Sequence, residues 1–142
     1  MIHSYSAMAC IMIVSGLLSS MYVWSDKWSD VRISANDAYM IGLMTGFMLL
    51  FMSVLSADWF VVSLSAVAVV GGLYLIRTQR GVSPRQYFRG MIPHHSMAVH
   101  MSRRLLASGA ALTRDEAAFV KNILLTQEAE IAWMKRASHS RA

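Results

Sequence analysis

Between Met91 and Met101 the chain reads Met-Ile-Pro-His-His-Ser-Met-Ala-Val-His-Met, placing three histidines and three methionines within eleven positions. Imidazole nitrogen and thioether sulfur form a borderline-to-soft donor set. Such a set suits copper in either oxidation state better than zinc, whose sites draw on Cys, His and carboxylate. In a helix, at about 100° per residue, Met91, His94 and Met101 share one stripe with Ala98 and Leu105. His95 and Met97 stand at its edges and His100 points largely away. Pro93 has no amide hydrogen for the carbonyl of Arg89, so an interruption of the helix is expected beside the histidines.

A second segment brings further donors to the same level. Ser108-Gly109 is a stop signal, and Thr113-Arg114-Asp115-Glu116 is a capping box that opens a new helix. A turn near residue 110 then sets Met91 opposite Glu130 and His94 opposite Gln127. Val120, Leu124, Gln127, Ile131 and Met134 form the inward stripe, with Glu130 at its margin. Ordinary packing competes with ligation throughout. Methionines on helical stripes are more often core filling than ligands, and Gln127 and Glu130 equally suit hydrogen bonds to His94 or to the chain. Two inward imidazoles, by contrast, need partners or an ion.

The elements that must carry this cluster are unusual. Hydrophobic residues make up 56% of the 142 and charged residues 15%, which is a membrane composition. Residues 7–24, 38–55 and 59–76 are apolar and free of charge, each about the 18 residues at which a stretch becomes a candidate to cross a hydrocarbon core. The first lacks the basic start and small-residue cleavage site of a secretory signal and is expected to be retained. Cys10 is a lone cysteine inside it, which excludes an internal disulfide. Residues 25–37 read as a short polar loop flanked by Trp24 and Trp28. Ser56-Ala57-Asp58 is so short that the second and third spans must be antiparallel neighbours. Ser83-Pro84-Arg85-Gln86 caps a new helix reaching about Ala107, and the last helix should run to about Arg136. The division is therefore a three-helix transmembrane bundle, 1–80, and a helical hairpin, 81–142. A hairpin that small needs a second copy, its own membrane bundle or a partner to complete a core.

Met91-Ile92-Pro93-His94-His95-Ser96-Met97-Ala98-Val99, followed by Gln127-Glu128-Ala129-Glu130-Ile131-Ala132-Trp133-Met134, resembles the domain of unknown function 305 family, over Gln86 to Arg136. The resemblance implies a ferritin-like helical hairpin, a bacterial source and an association with copper. The three spans look like a membrane-anchored subgroup. Carried over, the family pattern points to His94, His95, Met91, Met97 and Met101, with Gln127, Glu130 and Met134 from the second helix. His100 stands where many relatives have an acidic residue.

The fold class expected is all-α, with three transmembrane helices ahead of the hairpin. The function expected is a membrane-anchored protein that sequesters or delivers a metal, copper in the first instance. The alternative is a non-catalytic accessory subunit of a larger membrane complex. The expected partners are the lipid bilayer and either further copies of the chain or such a complex. The net charge of +5 comes without any nucleic-acid motif, so nucleic acid is set aside. Neither soluble helix has the Glu-x-x-His spacing of a di-iron enzyme, so no enzyme is expected. Lys27, Arg32, Arg77, Arg80, Arg85 and Arg89 would all lie on one side of a bacterial inner membrane, which by the positive-inside rule is the cytoplasm. Exported metal-handling relatives point instead to the periplasm.

Overall fold

A computed structural model describes residues 2–139. The described residues are all-α, with five long helices among them: α1 (Ile2–Ser19), α2 (Ala35–Leu55), α3 (Trp59–Thr78), α4 (Pro84–Ala107) and α5 (Arg114–His139). Two short 3₁₀ turns, Met21–Trp24 and Trp28–Asp30, lie between α1 and α2.

Three helical segments, Tyr5–Trp24, Ala35–Leu55 and Trp59–Thr78, are long and apolar enough to cross a membrane. In the unit that holds α1, α2 and α3, α2 is the middle helix, packed on both of the others. Close approach depends on small residues. A Cβ built on Gly16 would meet the Ile41 side chain at 3.0 Å, and one on Gly46 would meet Val69 Cγ2 at 3.1 Å. Buried Thr45, Ser53 and Ser65 are likewise small and weakly polar. The α2–α3 turn closes with Ala57 at φ 53°, while Asp58 Oδ1 accepts from the amide of Val61 at 3.3 Å and starts α3.

The second compact unit joins Met21–Ser34 to the chain from Ser83 onward. The segment between α1 and α2 is therefore not the solvent loop its charges suggested. It packs against α4 and delivers Asp30, only 2% exposed. Ser83 caps α4 by accepting from the Gln86 amide at 3.3 Å. The second capping box is reciprocal: the Thr113 amide donates to Glu116 Oε2 at 2.8 Å, and the Glu116 amide to Thr113 Oγ1 at 3.2 Å. Gly109, at φ 71°, makes the turn between the helices.

α4 runs without a break through Pro93, contrary to the expected interruption. One missing donor costs a single hydrogen bond, and the ring of Pro93 is itself buried, so packing holds the helix together.

Candidate metal site

α4 buries two arcs. One faces α5, where Ile92, Val99, Ile131 and Met134 form the core, with Phe88 and Met91 packed against it. The other faces Met21–Ser34. Ser96, 0% exposed, donates to Asp30 Oδ2 at 2.8 Å and accepts from the Asp26 amide at 2.9 Å. Lys135 pairs with Asp30, and Arg103 pairs with both Asp26 and Glu128. These two contacts rotate the buried side of α4 away from the stripe expected from spacing. His94 and Met101 are exposed, Met97 and His100 half-buried, and Ile92, Ser96 and Val99 occupy the interior.

Four of the expected donors converge. Met91 and His95, one turn apart on α4, meet Glu130 and Met134, one turn apart on α5, around a hollow of about 250 Å³ walled by Tyr87, Phe88 and Trp133. The register differs from the expected pairing, because Glu130 meets His95 rather than Met91: His95 Nδ1 lies 2.9 Å from Glu130 Oε2. His94 is the neighbour of His95, with ring centroids 6.0 Å apart. Phe88 sets the hollow's floor by an edge-on contact with Trp133, with centroids 5.6 Å apart. Gln127 is half-buried on α5 and does not line the hollow.

Burial pushes the His95 imidazole below its ordinary pKa, and His94 adds to the shift while Glu130 opposes it. His95 is thus neutral at neutral pH. With its proton on Nδ1, toward Glu130, the Nε2 lone pair is left for a ligand, the arrangement by which carboxylates orient metal-binding histidines. Among the described residues no three His, Cys, Asp or Glu side chains gather to hold an ion. An ion here would have to draw on the thioethers of Met91 and Met134, which selects for a soft cation. That donor set fits Cu(I).

Residues 75–138 match the family described as Domain of unknown function (DUF305). Over that stretch the chain is similar to DUF305 domains. The matched stretch takes in all seven residues around the hollow and leaves out Met21–Ser34, which packs on α4. An uncharacterized protein of Acanthamoeba polyphaga mimivirus is 36% identical over 97 residues, 63% of this chain and 62% of that relative. The chain thus matches less than two thirds of the relative's length. No solved structure matches the chain.

Spacing had not singled out the aromatic walls or the ionic contacts behind them. Phe88 three residues before Met91, and Trp133 beside Met134, were the available signal for the walls. Asp26 and Asp30, in a segment far away in sequence, gave none for their partners.

Proposed function

We propose that this is a membrane-anchored copper-binding protein whose DUF305 domain holds Cu(I) through His95, Met91 and Met134, with Glu130 orienting the imidazole or joining it as a ligand. The observation that carries this reading is the convergence of two Met/His or Met/Glu pairs, from different helices, on one aromatic-walled hollow. An apolar wall favours a soft, weakly hydrated monocation. The chemistry is binding and release, so sequestration or delivery is the role.

The three apolar helices are read as membrane spans. Because Met21–Ser34 and the hairpin belong to one unit, both must stand on the same membrane face, as three crossings require. That face carries the cations Lys27, Arg32, Arg77 and Arg80, while the short α2–α3 turn carries none, which favours a cytoplasmic hairpin.

The test is Cu(I) affinity and stoichiometry of the detergent-purified protein beside the His94→Ala, His95→Ala double variant. Tight stoichiometric binding by the parent alone is expected. Equal weak binding by both would overturn the copper reading and leave the domain as an accessory module of a larger complex.

A further inference from the structure

Two heptad seams run side by side along α4. One, containing Phe88, Ile92, His95 and Val99, faces the core that α5 completes. The other is Tyr87, Met91, His94, Ala98, Met101 and Leu105, whose spacing alternates four and three throughout. Such alternation is the signature of a helix that packs on another helix. Met91 is turned into the hollow beside α5, yet Tyr87 is 49% exposed, Met101 53% and Leu105 40%. On the same side of α5, two heptads apart, Phe119 and Trp133 are 65% and 55% exposed.

We infer that this second seam is the contact surface for the same seam of another copy of the chain. The opposite flank of the hairpin is already covered by Met21–Ser34, where the acidic residues Asp26 and Asp30 meet Arg103 and Lys135. The open seam has no charged residue. Arg85, Arg89 and Arg104 occupy helical positions turned away from it, so it lacks the basic rim of a helix that lies on anionic lipid. Large aromatic side chains cover about 150–250 Å² each. At their exposures Tyr87, Phe119 and Trp133, with Met101 and Leu105, offer roughly 500 Å² of apolar surface, which approaches the ~800 Å² per partner of a standard interface once flanking polar groups are counted. Ala98, the smallest side chain of the seam, sits at its middle and permits close approach. An isologous contact there places the same patch on both subunits. It brings the exposed donors His94 and Met101 of each copy against their counterparts, which deepens the copper reading without depending on it.

Metal-free cross-linking of the full-length protein tests the contact. In a Cys10→Ser background, Ala98→Cys is expected to give a covalent dimer with a short bismaleimide, and Ala132→Cys, beside Met21–Ser34 on the covered flank, is not. Adding Leu105→Glu to Ala98→Cys should abolish the cross-link while helicity by circular dichroism is kept. No dimer at Ala98→Cys, or equal yields at both positions, would overturn the inference. So would shielding of the Ala98→Cys thiol by liposomes alone, which would assign the seam to lipid. His95→Ala keeps the cross-link under this inference, so loss of copper binding and loss of pairing are read separately.

Discussion

Ser96 and Asp30, sixty-six positions apart, are joined by a hydrogen bond of 2.8 Å between two buried side chains. Ser96 directly follows His95, so the segment between the first two apolar helices anchors the turn of α4 that carries the candidate ligand. Asp30→Ala would take from the buried Ser96 hydroxyl its acceptor and from the partly exposed Lys135 ammonium its carboxylate. A loss of about 2–4 kcal/mol is expected, read as a lower midpoint in chemical unfolding followed by tryptophan fluorescence in detergent. The Asp30→Ala, Lys135→Ala pair should cost less than the sum of its singles.

Arg103 bridges Asp26 and Glu128, but its side chain is 41% exposed. Water screens such pairs. Arg103→Ala should therefore cost only about 1 kcal/mol in the same unfolding measurement, well below Asp30→Ala. A larger loss would mean that this bridge, rather than Asp30, holds the segment in place.

Met134 is 5% exposed and serves both core and hollow. Met134→Leu keeps volume and apolarity, so stability should change by less than about 1.5 kcal/mol. Cu(I) affinity should fall by about tenfold or more if the thioether is a ligand. Titration of parent and variant against a competing Cu(I) chelator separates packing from ligation.

His95 gives the sign of one pH effect. Its folded pKa lies below the ordinary imidazole value of 6.5, so between the folded pKa and about 6.5 the unfolded chain binds more protons than the folded one. Stability of the metal-free protein should therefore fall as pH drops through 6.5 and level off below the folded pKa. In His95→Gln this part of the slope should vanish. Chemical unfolding of both proteins at pH 7.5, 6.5 and 5.5 reads the difference.

Gly90 lies against the interspan segment, where an added Cβ would meet Ser34 Oγ at 3.0 Å and Ser34 Cβ at 3.3 Å. Gly90→Val should push Ser34 away and destabilise by about 1–3 kcal/mol. Limited proteolysis should then cut within residues 21–34, which the parent protects.

Much of this architecture was legible from residues alone. The apolar runs marked α1 to α3, and Ser83, Gly109 and Thr113 marked the ends of α4 and α5, because caps and hydrophobic length are local properties. Met91, His95, Glu130 and Met134 were all among the expected ligands. The facing of α4 was not legible. Periodicity shows that a helix has an apolar stripe, but α4 has two, and which one α5 fills depends on Asp30 and Asp26 claiming Ser96 and Arg103 from a distant segment. Pro93 misled for a related reason, since propensity counts the lost hydrogen bond but not the buried contacts that offset it.

The bond from Lys135 to Ser29 spans 106 positions, and its neighbour Asp30 waits on the same lysine. During synthesis Asp30 emerges early and stays without Lys135 until nearly the whole of α5 has been made. The hollow beside His95 likewise needs Glu130 and Met134, so a chain truncated within α5 would expose a carboxylate and a half-built site together, leaving incomplete products open to quality-control proteases.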